Sequence, residues 1–231
     1  SVFGFDLAAR GVSPEPIGGS FALDASASAA GKGAYAARIE LDSIEIRNKH
    51  RTDRIRPTSV SLHTDSAATR AEAASGDLSL TFSTPQSADS LIAALTRSAR
   101  TLAGQIDAQS IDMEQLKPAL PDFALRVSAG PDNILNSLLK SRKIAFDALN
   151  AEGANCDSLP VSIRLRTEGL AYGNVVLDTV TADIRQNGKR LEYALGLANA
   201  PGNLDNIARA GLYGHLVRNT GQANLYQRNR A

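Results

Sequence analysis

The residues that could carry out chemistry are few and widely separated in this sequence. Its three histidines are His50, His63 and His215, and its single cysteine is Cys156. The histidines show none of the HxxxH, HxH or HExxH spacings that bring imidazoles to one metal ion. A single cysteine forms neither an intramolecular disulfide nor a cysteine cluster, so we interpret Cys156 as a small, half-buried residue at a strand end.

Other catalytic patterns are also missing from the sequence. It contains neither a GxSxG nucleophile motif nor a GxxxxGK[ST] phosphate-binding loop. Lys32, between two glycines, is typical of a β-turn. Asp107, Asp112 and Glu114 lie where carboxylates favour the start of a helix. We therefore predict that the chain is not an enzyme, has no catalytic or metal-binding residue and needs no cofactor. An enzyme whose site is assembled from distant residues is a third hypothesis.

The charge balance argues against a nucleic-acid partner. Over 231 residues, 25 Lys and Arg offset 24 Asp and Glu, which gives a net charge of +1, whereas a nucleic-acid binder shows a basic face or stripe. We interpret the densest basic stretch, residues 47–56, as a solvated turn. No apolar segment is long enough for a transmembrane helix, and we expect the chain to be a piece of a longer protein.

Large apolar side chains are scarce. Aromatic residues make up 5% of the chain, Trp is absent, and much of the 43% apolar content is alanine. Such a composition fills a thick globular core poorly. It favours a thin layer, or a groove whose apolar face is completed by something else.

Residues 1–85 alternate between apolar and polar side chains, which predicts strands with one apolar and one polar face. Stretches rich in Gly, Asn and Asp separate these strands. The apolar positions are Phe3, Phe5, Leu7, Phe21, Leu23, Ile39, Leu41, Val60, Leu62, Leu78, Leu80 and Phe82.

Residues 86–142 change period. Leu91, Ile92, Leu95 and Leu102 recur at helical spacing, so we predict a helix capped by Ser87 and ending near Gly104, with its stripe as a candidate cap over the sheet. A short helix over Asp112–Leu116 stopped by Pro118, a strand through Phe123, Leu125 and Val127, and a helical turn opened by Pro131 complete this helix-containing insert.

Alternation returns over residues 143–231. Asn187-Gly188 is a strong hairpin signal because both residues accept a positive φ. The apolar positions here include Val161, Ile163, Leu165, Leu191, Tyr193, Leu195 and Leu197. The order of elements lacks a βαβ rhythm. We therefore predict a mainly β chain: an antiparallel meander forming a curved, groove-like or half-open sheet, in which residues 143–231 continue the sheet of residues 1–85.

Many successive one-sided strands need a cover for their apolar rows. The cover is a second sheet, the helical insert or a lipid chain. The pattern alone favours a closed two-layer core and an open groove equally.

The last third of the chain carries a family resemblance. Its runs are Leu191 to Leu197, then Asn199-Ala200-Pro201-Gly202-Asn203-Leu204-Asp205, Ala210-Gly211-Leu212-Tyr213-Gly214-His215-Leu216 and Gln222 to Asn229. This succession resembles the TamB branch of the AsmA-like proteins in its Bacteroides-type form. The segments 90–95, 118–121 and 128–133 also resemble that group, although the helical insert departs from a plain repeating groove.

The resemblance implies a long protein that is anchored in the inner membrane by an N-terminal helix and spans the periplasm. Its β-sheet would form an apolar groove along which phospholipid or another acyl-chain lipid moves toward the outer membrane, with an outer-membrane assembly barrel as partner. The apolar positions given above would line the groove. The competing hypothesis is a non-catalytic binding module with a closed apolar core that pairs with neighbouring repeats.

Overall fold

The computed structural model describes residues 2–6, 18–31, 33–47, 52–140, 142–156, 159–199 and 207–229. Leu7, Lys32, His50 and residues 200–206 lie outside the described residues, as does the side chain of Phe5.

The described chain contains fifteen strands and three helices. The strands before the first helix are β1 Val2–Asp6, β2 Gly18–Ala29, β3 Tyr35–Arg47, β4 Thr52–Ile55, β5 Thr58–Thr64, β6 Thr69–Ser75 and β7 Leu78–Thr84. Then follow α1 Ala88–Asp107, α2 Met113–Ala119, β8 Phe123–Ala129 and α3 Ile134–Lys140. The remaining strands are β9 Ile144–Ala145, β10 Ala148–Cys156, β11 Leu159–Tyr172, β12 Val175–Asn187, β13 Arg190–Ala198, β14 Ile207–Val217 and β15 Thr220–Asn229.

All described strands belong to one open antiparallel sheet. Its path runs β1-β2-β3-β5-β6-β7-β8-β10-β11-β12-β13-β14-β15, while β4 pairs with β3 and β9 with β11. The helical segments are insertions between β7 and β8 and between β8 and β9, and they do not interrupt the sheet. The predicted fold class is confirmed, and the sheet is consistent with a curved, groove-like form.

Helix α1 begins at the ends of β5, β6 and β7. Ser87 caps it by accepting a hydrogen bond from the Ser90 amide at 3.4 Å, as predicted. The hydroxyls of Thr64 and Thr69, which are paired across β5 and β6, lie 2.8 Å apart. Thr64 accepts a hydrogen bond from the Ala88 amide at 3.0 Å. This hydroxyl pair therefore ties the start of α1 to the sheet.

The segment that follows α1 is held next to the β14–β15 end of the sheet. The side-chain amide of Gln105 exchanges two hydrogen bonds with the backbone of Asp112, at 3.0 and 3.1 Å. Ile111 and Arg218 exchange two backbone hydrogen bonds of 2.8 Å beside the β14–β15 turn. The insert therefore spans the strand ends from β5 to β15.

The predicted boundaries of these helices were partly wrong. Helix α1 continues to Asp107, past Gly104. Helix α2 continues to Ala119 and contains Pro118, which is tolerated in this position because seven residues leave few backbone bonds to break. Helix α3 begins at Ile134, three residues after Pro131.

Helix α3 is held by two asparagines. The Asn133 side chain accepts from the Asn136 amide at 2.9 Å. The fully buried Asn136 side chain donates to the Phe146 carbonyl at 2.8 Å and accepts from the Phe146 amide at 3.3 Å. The side-chain nitrogen of Asn136 also donates to the Pro131 carbonyl at 3.1 Å. Asn136 thus satisfies three backbone groups.

Asp77 holds the loop before α3. It accepts hydrogen bonds from the Asn133 side chain at 2.6 Å and from the Asp132 amide at 2.9 Å. Burial raises the pKa of Asp77, but the hydrogen bonds from Asn133 and from the amides of Asp132 and Gly130 outweigh it and leave that pKa below its ordinary value.

Three strands were missed by the alternation pattern. β4 lies within residues 47–56, so the interpretation of that stretch as a solvated turn was wrong: Thr52–Ile55 pairs with β3, and Ile55 is buried. In the middle of the apolar face, β6 and β10 carry only Ala71, Ala73, Ala151 and Gly153, which contribute too little hydrophobicity to mark a strand. The β12–β13 turn is also shifted by one residue. Asn187 pairs with Arg190, so the central residues are Gly188, at φ 59°, and Lys189.

Replacing Asn136 by Ala should destabilise the fold by about 2 to 4 kcal/mol, because both backbone groups of the buried Phe146, and the Pro131 carbonyl as well, lose their partner. Denaturant unfolding of the purified chain measures this difference. Asn150→Ala, at an exposed position on β10, is the control and should change stability by less than about 0.5 kcal/mol. Equal stability of the two variants would contradict this role of Asn136.

Candidate functional site

The antiparallel register aligns two rows of apolar residues across twelve strands, and we call these two rows the central band. The row nearer α1 is Ala27, Ala37, Leu62, Ala71, Phe82, Leu125, Gly153, Ile163, Ile184, Tyr193, Gly214 and Ala223. The row nearer α3 is Ala25, Ile39, Val60, Ala73, Leu80, Val127, Ala151, Leu165, Ala182, Leu195, Leu212 and Leu225.

The opposite face of the same strands is polar. Between its two residues in the central band, each strand has one residue whose side chain lies on the opposite face. Most of these side chains are charged or carry a hydroxyl group. This row on the polar face is Ser26, Arg38, Ser61, Glu72, Thr81, Arg126, Glu152, Arg164, Asp183, Ala194, Tyr213 and Asn224. The sheet therefore has one apolar face and one wet face, as the alternation predicts.

Much of the central band is uncovered. Val60 and Ile39 are each 41% exposed, and Ile163 is 44% exposed. Towards the edge strand β15 the exposure rises to 80% at Leu225. No second layer packs on these side chains within the described residues, whose strands form one open sheet.

The strand ends on the apolar face are covered, in contrast to the band. At the α3 end, Thr58 donates to the Ser75 hydroxyl at 2.8 Å, and Ser75 accepts from the Ile134 amide at 3.2 Å. At the α1 end, Asn155 donates to the Pro121 carbonyl at 2.8 Å. Thr58, Ser75 and Asn155 are all buried. The band therefore runs across the strands between two covered rims.

Most of the predicted groove-lining residues lie on the apolar face. Those inside the central band are Ile39, Val60, Leu62, Leu80, Phe82, Ile163, Leu165, Tyr193 and Leu195. Those nearer the strand ends or in the first strands are Phe3, Phe21, Leu23, Leu41, Leu78, Val161, Leu191 and Leu197. Leu7 and the Phe5 side chain lie outside the described residues.

The proposed cap helix lies at the α1 rim, but its stripe points away from the packed side. Ala94, Ser98 and Gln105 are buried, whereas Ile92, Leu95 and Leu102 are 62%, 50% and 40% exposed. Leu91 is half-buried. Because these apolar residues are largely uncovered, they do not seal the central band.

Two tyrosines fill the space above neighbouring glycines. The Tyr193 hydroxyl donates to the Gln222 carbonyl at 3.1 Å, across Gly214. A Cβ on Gly214 would collide with that same carbonyl of Gln222. On the polar face, the Tyr226 ring lies over Gly211 in the same manner. The glycines let aromatic rings lie flat across the strands, which stiffens this end of the sheet.

The polar face carries two open depressions lined by charged side chains. Cavities of about 600 and 640 Å³ open there. Their arginines face carboxylates: Arg164 lies 3.4 Å from Asp183, and Arg185 lies 2.9 Å from Glu192. Within the described residues, no three His, Cys, Asp or Glu side chains are grouped to hold a metal ion.

The sequence matches no protein-family model, and no curated protein or solved structure is significantly similar to it. None of the helices in the described part of the chain combines the length and the hydrophobicity that a bilayer crossing requires.

Gly214→Ala should destabilise the chain by about 1 to 3 kcal/mol, because the added methyl group must displace the β15 backbone or the Tyr193 ring. Thermal and denaturant unfolding measure the change. Gly104→Ala is the matched control: open space surrounds this helical glycine, and alanine favours helix by about 1 kcal/mol. If Gly214→Ala were as stable as the parent, the close Tyr193–Gly214 packing would be refuted.

Proposed function

We propose that this chain is a non-catalytic segment of a lipid-conducting groove, in which the central band carries the acyl chains of phospholipids or similar lipids. The observation that supports this proposal best is the unbroken apolar register from β2 to β15. The role is passive: acyl chains lie against the band, and each buried methylene group contributes about 0.8 kcal/mol.

The size of the band favours a ligand over ordinary surface. Twelve strands at a spacing of about 4.8 Å give a band about 53 Å long, and two rows give it a width of about 13 Å. Its footprint of roughly 700 Å² exceeds the largest apolar patch of a typical monomer, about 300 to 600 Å². An apolar area of this size indicates a binding surface.

The length of the band favours passage over storage. An acyl chain occupies about half of the roughly 30 Å hydrocarbon core of a bilayer, so a lipid has several positions along the band. Twenty-three of the residues in the two rows are Ala, Gly, Val, Ile, Leu or Phe, and the hydroxyl of the other, Tyr193, donates to the Gln222 carbonyl. No strongly polar group therefore creates a barrier or a trap along the rows.

The family resemblance supports a cellular setting for this activity. We place the segment in the periplasm, within a longer protein anchored in the inner membrane, with an outer-membrane assembly barrel as its partner. In this setting the band forms one stretch of a lipid path between the two membranes.

The second candidate is a binding module whose sheet is extended by a neighbouring strand. β15 pairs only with β14 among the described strands, and Leu225 on β15 is 80% exposed. An added strand would cover this edge and continue both rows of the band. In this alternative, protein rather than lipid covers the band.

Photo-crosslinking tests the lipid path directly. A benzoylphenylalanine placed at Leu62, Leu165 or Leu212 should form lipid adducts in bacterially produced protein, which mass spectrometry identifies. The same group at Ser61, Arg166 or Tyr213, the adjacent positions on the polar face, is the matched control. Absence of lipid adducts from all three band positions would refute the proposal, and adducts to protein alone would favour the binding module.

A charge placed in the band should impede lipid binding. Leu195→Glu puts a carboxylate between Ala182 and Leu212, where an acyl chain would desolvate it. We expect about tenfold less bound phospholipid, equivalent to about 1.4 kcal/mol, measured by extraction and mass spectrometry. Ala194→Glu, the neighbouring exposed position on the polar face, should bind as much lipid as the parent. Equal loss in both variants would indicate a general effect of charge.

A further inference from the structure

Helix α1 presents a second uncovered apolar surface, separate from the central band. Ile92 and Ile106 are 62% and 59% exposed, and Leu95 and Leu102 are 50% and 40% exposed. The buried residues of α1, including Ala94 and Ser98, lie about a quarter of a turn away around the helix axis. The helix thus packs mainly through small and polar residues and leaves four of its five Ile and Leu side chains largely exposed, Leu91 being half-buried.

The spacing of the exposed residues is that of a coiled-coil seam. On this side of α1, six apolar residues advance by four, three, four, three and four positions: the half-buried Ala88, then the exposed Ile92, Leu95, Ala99, Leu102 and Ile106. This is the a/d pattern of a heptad repeat, with Ile92, Ala99 and Ile106 at a and Leu95 and Leu102 at d.

We propose that α1 docks against α1 of a second copy of this chain as an antiparallel two-helix coiled coil. In such a pair, a positions of one copy face d positions of the other. The alignment that uses all six residues places Ile92 against Leu102, Leu95 against Ala99 and Ala88 against Ile106. Two of these three kinds of layer combine a large with a small side chain, as close packing of helices requires.

Self-complementarity is the reason for choosing a second copy as the partner. A twofold axis makes every contact occur twice, so the one seam supplies both halves of the interface. A membrane surface fits less well, because helices that lie on membranes carry a cationic polar face. In α1 the charges of Asp89 and Asp107 balance those of Arg97 and Arg100.

The interface is small, so its affinity should be low. A 20-residue helix is about 30 Å long, and a seam about 10 Å wide covers about 300 Å² per copy. A standard stable interface covers about 800 Å² per partner. Association is therefore expected to depend on protein concentration. It does not depend on whether lipid occupies the central band, because the two surfaces use different residues.

Sedimentation equilibrium of the 231-residue chain tests the proposal. The weight-average mass should rise from one copy toward two between about 10 µM and about 1 mM. Leu95→Lys and Ala99→Glu should each remain at the mass of one copy over this range. Leu138→Lys, which alters a leucine of α3 that is 52% exposed, is the control and should associate like the parent.

Mixing the two seam variants tests the antiparallel arrangement. In the antiparallel pair, Lys at position 95 of one copy faces Glu at position 99 of the other, and the mixture should recover at least half of the parent's association. In a parallel pair these two charges lie in different layers, and no recovery occurs.

Three results would overturn the proposal. They are a parent chain of single-copy mass at every concentration, a Leu95→Lys variant that associates like the parent, and a mixture of the seam variants that stays at single-copy mass while the parent dimerises. Binding of the parent to anionic vesicles that Leu95→Lys abolishes, without self-association, would assign the seam to a membrane surface instead.

Discussion

The register of the antiparallel pairing is the constraint on which the rest of this structure depends. Side chains alternate between the faces of a strand, so a slip of one residue between any two neighbouring strands would move the apolar residues of one strand to the polar face. From β2 to β15 the pairing keeps the residues of each row of the central band opposite one another on one face. Where β3 meets β2, Ser43 adopts φ 53° beside a register shift, and Ile44 beyond it remains buried against Ile55 of β4.

Covered rims and an uncovered band follow from how the helical segments are attached. The hydroxyl pairs Thr58–Ser75 and Thr64–Thr69 lie at opposite ends of β5 and β6 on the apolar face. Each pair also binds the backbone of a helical segment, at Ile134 or at Ala88. Polar side chains are therefore used at the strand ends to anchor the inserts. The positions between them keep only apolar side chains, which leaves a surface suited to acyl chains.

Helix α1 packs against the protein with one side and presents apolar side chains to solvent with another. Its small and polar residues, such as Ser98, which donates to the Ala119 carbonyl at 2.6 Å, hold it in the rim. Four of its Ile and Leu residues, Ile92, Leu95, Leu102 and Ile106, stay largely exposed. The usual preference of apolar side chains for the interior is reversed here, and such a reversal is typical of surfaces that meet a partner.

The sequence by itself determined the strand pattern wherever large side chains alternate with polar ones. Leu78, Leu80 and Phe82 identify β7, and Leu191, Tyr193 and Leu195 identify β13, because the period of two is a local property of the chain. It did not reveal β6 or β10, whose residues in the central band are Ala and Gly. These strands form because both of their neighbours supply hydrogen-bonding partners, and partners distant in sequence leave no mark on the local pattern.

Only the tertiary structure decided which apolar residues are covered. The stripe Ile92, Leu95 and Leu102 fits a helix that packs on a sheet, yet Ala94, Ser98 and Gln105 occupy the packed side. The outcome depends on contacts with residues 109–121 and on hydrogen bonds of Gln105 and Ser98 to that segment. Periodicity identifies the faces of an element, whereas the choice of the face that is buried is made by the surfaces that surround it.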